Sequence, residues 1–199
     1  MKPKFIHLEG TDLSGKTSVA KRLLSKTPFL YQHNSISTHS PEGLGSELDK
    51  MDELGLYSHT TLSLGYAACV LADIDRFEWP RKDTVQDSSS SVRCLSRLAI
   101  DGQDALFDIV RSRVELDHPR FTISYYLTTT IDERIKRANS MASLTRNDLM
   151  ILHDTKRFAA MDKVALSISR ELFNSTVIDT TNTSPDEIVN IIEQDINGQ

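Results

Sequence analysis

The sequence predicts an α/β fold: a mainly parallel five-stranded sheet flanked by helices, three layers in all, with a short lid. Three observations predict it. Short apolar runs at 4–9, 83–87, 121–127 and 175–179 read as strands, with 35–38 as a weaker fifth. Helical patterns fill the intervals, and strands alternating with helices need crossovers that leave neighbouring strands parallel. The first run feeds straight into Gly10-Thr11-Asp12-Leu13-Ser14-Gly15-Lys16-Thr17, a G-x-x-x-x-G-K-T segment between a strand and a helix.

Taken in order, the helix after that segment runs from Lys16 to Ser25, with Val19, Leu23 and Leu24 along one side. Thr27-Pro28 stops it, because proline cannot continue the hydrogen-bond ladder. The stretch His39-Ser40-Pro41-Glu42-Gly43 reads as a loop. Helices follow from about Gly45 to Leu54 and from about Thr60 to Phe77, before a short strand that ends in Asp87. Ser91 to Glu115 is helical with an interruption near Gly102, and His118-Pro119 punctuates the chain before Phe121–Leu127, the clearest β run. Thr130 opens the next helix, whose first turn holds Asp132 and Glu133, where the dipole favours acids. A polar stretch, Asn139 to Asn147, then separates it from a longer helix ending near Phe173. After the last strand, Ser184-Pro185-Asp186-Glu187 matches an N-cap with proline at the first helical position, opening a tail helix that ends near Ile196.

At 199 residues the chain suits a single domain, residues 1–199, with the lid at about 138–147. Hydrophobic content of 39% and charged content of 26% are ordinary for a soluble globular protein. A net charge of −5 gives no global attraction to a nucleic-acid polymer or an anionic membrane, so a polyanionic substrate needs a local basic pocket. Two cysteines, Cys69 and Cys94, argue against a disulfide framework and fit a reducing, cytoplasmic setting. No apolar run approaches the ~18 residues of a membrane span, and the first apolar run is a strand rather than a signal-peptide core. Metal-site spacings such as C-x-x-C or H-E-x-x-H are absent.

The G-x-x-x-x-G-K-T segment is a P-loop. Its successive backbone N–H groups wrap a triphosphate, its glycines permit the tight turn, and the helix that follows adds the positive end of its dipole. Gly10, Thr11, Asp12, Leu13, Ser14, Gly15, Lys16, Thr17 and Ser18 are therefore the expected ATP-binding residues. Lys16 reaches the β- and γ-phosphates and the Thr17 hydroxyl holds Mg²⁺.

With these residues in place the chain resembles the thymidylate kinase branch of the nucleoside monophosphate kinases. Glu9-Gly10-Thr11-Asp12-Leu13-Ser14-Gly15-Lys16-Thr17 is similar to the family's E-G-x-D-x-x-G-K-[ST] loop. Ser40-Pro41-Glu42-Gly43 lies where the family has R-E-P-G-G, and Asp87 where it has D-R-[YFH]. Arg134, Arg137 and Arg146 resemble its arginine-bearing lid, and Ile178-Asp179-Thr180-Thr181 its last strand and adenine-side loop. The resemblance implies a homodimeric, ATP- and Mg²⁺-dependent kinase of a small acceptor, a nucleoside monophosphate with dTMP first. Departures fall on the acceptor side: Ser88 and Ser89 replace the family arginine and aromatic after the aspartate, and His39 aligns with the arginine of R-E-P-G-G. A nucleoside or another small metabolite is the alternative acceptor. A nucleotide-binding regulator or inactive relic is the alternative of a different class; a guanine-specific N-K-x-D is absent.

The expected catalytic residues are Lys16, Asp12, Asp87, Arg137 and Arg146, with Thr17 and Asp87 at the metal. Asp12 has two readings, a group that approaches the acceptor sugar by resemblance or a turn-forming aspartate. Asp87 either binds Mg²⁺ or takes the acceptor proton, or it caps the following helix. Arg137 and Arg146 flank the lid and supply a cation to the transferred phosphoryl, whereas Arg134 is either a helix-surface or an adenine-side residue. His39, Arg76, Arg93 and Arg97 are candidates for the acceptor; the arginines alternatively pair with Asp73 or Asp75 at the surface. Tyr66 and Phe77 either stack on a base or belong to the core.

Overall fold

In the computed structural model, which describes residues 2–33, 44–144 and 146–198, β1 (Phe5–Glu9), β2 (Leu30–His33), β3 (Thr84–Asp87), β4 (Ile123–Thr128) and β5 (Thr176–Asp179) form one sheet. Its order is β2-β3-β1-β4-β5, and every neighbouring pair is parallel. The helices among the described residues are α1 (Lys16–Lys26), α2 (Leu44–Glu53), α3 (His59–Asp75), α4 (Ser90–Ile100), α5 (Asp104–Asp117), α6 (Ile131–Asn139), α7 (Arg146–His153), α8 (Thr155–Phe173) and α9 (Pro185–Asn197). The chain leaves β1 toward β3 on one side and β4 on the other, so the end of β1 lies at the point where strand order reverses. Open parallel sheets bind ligands at such a point.

Strand side chains alternate between two apolar layers, as a period of two requires. Ile6, Leu8, Val85, Tyr125 and Leu127 face one layer with Val19, Ala20 and Leu23 of α1 and Ile188, Val189 and Ile192 of α9. Tyr126 faces the other, against Val70 and Ile74 of α3, Leu95 and Leu98 of α4, Val110 and Val114 of α5, and Ile168 and Leu172 of α8. Each fully buried Leu or Ile contributes about 1.5–3 kcal/mol. The three-layer α/β class expected from the strand and helix alternation is the class observed.

Local signals place several boundaries. The Thr130 hydroxyl accepts from Glu133 N and opens α6; Ser184 and Glu187 make a capping box, with Pro185 at the start of α9. Gly102, at φ 66°, separates α4 from α5. Two readings differ from the structure. The expected long helix ending near Phe173 is broken at Asp154, whose backbone leaves the helical region and whose side chain accepts from Arg157 N as the N-cap of α8. The strand expected at 35–38 and the loop at 39–43 lie outside the described residues, and a strand at Leu30–His33, a run not singled out for β propensity, was not expected. Its pairing with β3 supplies the hydrogen bonds that local sequence does not advertise.

A buried aromatic and imidazole cluster closes the amino-terminal end of the sheet. His7 stacks on Phe121 at 4.1 Å, and His118 lies 4.6 Å from Phe173 and 5.3 Å from Phe121, centroid to centroid. His118 Nδ1 donates to Pro119 O at 2.6 Å. Burial pulls the His118 pKa down to about 3, only partly opposed by that hydrogen bond, so the folded state holds the ring neutral. The unfolded chain takes up this proton near pH 6.5, the ordinary value for histidine. The contribution is therefore intact above that pH and falls between it and about 3. Acidification to pH 5 is expected to cost about 2 kcal/mol through this group. Urea midpoints at pH 7.5 and 5.0 check it: His118→Phe should show a smaller acid loss than the parent chain.

Candidate active site

The P-loop adopts a backbone that only glycine tolerates at its entrance. Gly10 has φ 143°, and a Cβ there would meet Leu127 O at 2.2 Å. Leu13 at φ 62° and Gly15 at φ 94° complete the left-handed turns, and Gly15 caps α1 without any side-chain acceptor. The first-turn N–H groups are thus left for an anion. Lys16 is 6% exposed and its Nζ donates to Thr11 O at 3.2 Å. Burial lowers the Lys16 pKa, while Asp12, Glu9 and Asp87 pull the other way. Ser14 is fully buried in this loop with no partner for its hydroxyl among the described residues.

The adjoining strand end, on β3, brings Asp87 to the loop. Asp87 is fully buried, and its Oδ2 accepts from Thr17 Oγ1 and from Tyr31 Oη, both at 2.9 Å. Burial and the Asp87 charge push the Tyr31 hydroxyl up to about 12, so it is a donor at neutral pH. Ser88 then turns the chain at φ 69°, a left-handed position for a residue with a Cβ. That turn is held by Ser88 N donating to Leu8 O at 2.8 Å and by Gln86 Nε2 donating to Ser88 O at 2.7 Å. The cap of α4 is Ser89, which accepts from Ser91 N; capping is therefore not the task of Asp87.

Glu9 ties the two turns together. It is 2% exposed; Oε1 accepts from Gly10 N at 2.9 Å and Oε2 from Ser89 N at 2.8 Å, with His7 Nε2 3.3 Å from Oε2. Burial alone would raise its pKa, but the His7 contact, the Lys16 charge and the Gly10 N–H outweigh it and the carboxyl stays below the usual range. A second clamp holds the P-loop from behind. Asp162 of α8 accepts from Thr11 Oγ1 at 2.5 Å, Tyr126 Oη at 2.8 Å and Arg134 Nη2 at 3.3 Å. Arg134 also donates to Asp12 O and lies over the Phe158 ring.

The predicted site residues separate accordingly. Lys16, Thr17, Asp12 and Asp87 converge. Arg134, expected at a helix surface or the adenine side, is 1% exposed and forms the rear clamp. Arg137 donates to Leu13 O at 2.9 Å and to Thr180 O at 2.8 Å, so it bridges the P-loop to the turn after β5. Arg146 begins α7, and His39 and the side chain of Arg146 lie outside the described residues. Of the arginines expected at the acceptor, Arg93 Nη2 is 3.7 Å from Asp12 Oδ1 and Arg97 Nη1 is 3.6 Å from Asp52 Oδ2; neither of these pairs uses Asp73 or Asp75. Arg97 also lies 4.8 Å above the Tyr66 ring. Arg76 ends α3 next to Phe77, whose ring stacks on Phe5 at the opposite end of β1 from the P-loop. Phe77 packs with the core.

Sequence reasoning did not assign roles to Glu9, Tyr31, Asp52 or Asp162. Glu9 had a signal, as the acidic residue before the first P-loop glycine; the other three reach the site through tertiary packing. The hydroxyl and carboxylate of Thr17 and Asp87 are hard oxygen donors beside a buried cation, a set that fits Mg²⁺ carried with a triphosphate and largely hydrated. Among the described residues no cluster of three His, Cys, Asp or Glu forms a resident metal site.

Removing Asp162 leaves Arg134 buried without its charge partner. Asp162→Ala is expected to cost about 2 kcal/mol, below the figure for a fully buried pair because Asp162 is partly exposed, and to weaken nucleotide binding about tenfold by loosening Thr11 and Asp12. Thermal unfolding and nucleotide titration read the two effects separately. Adding Arg134→Met should recover stability without recovering affinity.

No protein-family model matches the chain, and no curated protein matches its sequence. Solved structures do match its fold. The chain is similar to thymidylate kinase from Candida albicans, with a TM-score of 0.71 and 14% identity over 99% of this chain and 92% of that one. Deoxyadenosine kinase from M. mycoides aligns at a TM-score of 0.64 and 10% identity, covering 98% of each chain. Shikimate kinase from Acinetobacter baumannii aligns at 0.56 and 16% identity, over 98% of this chain and 94% of that one. The chain has the P-loop kinase fold that these proteins share, around acceptors as different as their names state.

Proposed function

We propose that this chain is an ATP-dependent phosphotransferase that passes the γ-phosphoryl group of Mg·ATP to a small acceptor. The observation that carries the reading is the 2.9 Å hydrogen bond from Thr17 Oγ1 to Asp87 Oδ2, which joins the P-loop to the strand-end carboxylate. Mg²⁺, when bound, would be held by Thr17 and Asp87 and would offset the charge of the phosphates. The protein's own part is positioning. The P-loop N–H groups fix the phosphates, Lys16 faces the β–γ bridge, and Arg146 on the lid, residues 138–147, closes over the transferred group. Arg137 sets the backbone of Leu13 against Thr180 and so shapes the adenine side.

The resemblance names dTMP as the first acceptor, in a pocket between Asp12, Asp87, Arg93 and Arg97. Ser88, in the place of the family arginine, favours a second reading, an acceptor without a phosphate. The same resemblance gives a cytoplasmic homodimer; exposed Leu54, Leu56, Tyr57 and Leu64 around α2 and α3 and two buried free cysteines support that part. No described helix is long and apolar enough to cross a membrane.

The test is ADP release from Mg·ATP against all nucleoside monophosphates, their nucleosides and buffer. Acceptor-stimulated release is expected, and Lys16→Met should reduce kcat by ~10²–10³-fold or more while the thermal transition is retained. Full turnover in Lys16→Met would remove the P-loop mechanism.

A further inference from the structure

We propose that His7 is a positioning residue for the P-loop, carrying its proton on Nε2, toward Glu9, at the end of a buried relay of serine hydroxyls. Its effect on nucleotide rests on the kinase reading above. The relay runs from α8 and the start of β5 across β4 to β1. Ser169 Oγ lies 2.7 Å from Ser175 Oγ, which lies 2.6 Å from Ser124 Oγ; Ser124 Oγ lies 2.8 Å from His7 Nδ1. His7 and Ser169 are fully buried, and Ser124 and Ser175 nearly so. On the far side of the ring, Nε2 stands 3.3 Å from Glu9 Oε2, without the alignment of a full hydrogen bond. It meets no other polar partner among the described residues.

Proton counting gives the relay its direction. Each hydroxyl donates once, and a neutral imidazole donates from one nitrogen and accepts at the other. Both Glu9 oxygens accept backbone N–H groups, and the carboxyl is held below the usual range, so Oε2 offers His7 negative charge. A lone pair on Nε2 is repelled there, whereas N–H is attracted even off the ideal line. Nδ1 then accepts, which orders every remaining proton: Ser124 donates to His7, Ser175 to Ser124 and Ser169 to Ser175. The Ser169 carbonyl, 3.0 Å from Ser175 Oγ, is not left short, because it accepts from the N–H groups of Asn174 and Ser175. No contact in the relay needs a second proton on the ring.

The consequence falls on Oε2, the oxygen that also holds Ser89 N. The imidazole therefore sets where the carboxylate stands and, through Oε1 and Gly10 N, where β1 becomes the P-loop. Aligned hydroxyl dipoles reinforce one another in a buried setting. Stacking on Phe121 at 4.1 Å and an edge contact with Phe173 at 5.4 Å hold the plane of the ring.

The experiment uses the full chain with isotope-labelled histidine. Proton–nitrogen correlation spectra assign the His7 ring by its loss in His7→Gln. Nε2 should carry the proton, Nδ1 should have the shift of an unprotonated acceptor, and Ser124→Ala should move the Nδ1 signal. Mg·ATP affinity is titrated in parallel. His7→Phe keeps an aromatic ring on Phe121 without a donor and should weaken binding about tenfold; His7→Gln restores an N–H toward Glu9 and should stay within about threefold of the parent. A ring protonated on Nδ1, alone or together with Nε2, overturns the proposal. So does parental affinity in a folded His7→Phe, or an equal loss in the two variants. Where His7→Phe does not fold, Ser124→Ala decides: it should also weaken Mg·ATP about threefold, and absence of that loss or of the Nδ1 change overturns the relay. A parent chain that does not bind Mg·ATP overturns the kinase reading and the positioning role with it, an outcome distinct from a wrong ring spectrum.

Discussion

Glu9 is the group on which the geometry of the site depends. One of its oxygens holds the N–H of Gly10, where β1 becomes the P-loop, and the other holds the N–H of Ser89, where β3 becomes α4. A buried carboxylate is tolerated only when its oxygens are engaged and a counter-charge is near, and His7 and Lys16 meet that condition. Through this one side chain the phosphate-binding turn and the Asp87 turn become a single rigid piece. The 2.9 Å contact between Thr17 and Asp87 follows from it.

The helical layer supports the same piece from the opposite side. Asp162 and Arg134 fasten Thr11 and the Asp12 carbonyl to α8 and α6, while Arg137 fastens Leu13 to the turn after β5. Of the two helices that flank the polar segment, α6 touches the P-loop backbone directly. A displacement of these helices reaches the loop through charged hydrogen bonds rather than through loosely packed apolar contacts, which is a stiff connection. Arginine suits this work because its planar fork can hold two carbonyls or a carboxylate and a carbonyl at once.

The two ends of the candidate site differ in how charge is arranged. The P-loop end keeps a buried lysine and a helix N-terminus without a side-chain cap. Beyond it, Arg93 lies near Asp12 and Arg97 near Asp52, and the Thr17 and Tyr31 hydroxyls donate to Asp87. The left-handed backbone of Ser88 belongs to this arrangement, since a turn held by Leu8, Gln86 and Glu9 leaves a small residue beside Asp87. The fold is shared with structures of different named activities, and a shared fold does not set what the site accepts.

The sequence by itself determined the α/β class, the P-loop with Lys16 and Thr17, the strand-end position of Asp87, and the caps at Thr130 and Ser184. These are local signals: alternation of apolar runs, glycines where φ must be positive, and hydroxyls before helices. Only tertiary structure decided that Arg134 is buried rather than exposed, that Phe77 packs at the far end of β1, and that Tyr31 reaches Asp87 and Asp162 reaches Thr11. Helix spacing says which residues share a face, but it does not say which layer that face meets or which end of the sheet it reaches. Arginine in particular has the same local preferences on a surface and under a P-loop. What separates the two is a carboxylate that arrives from elsewhere in the chain, here Asp162, 28 residues later.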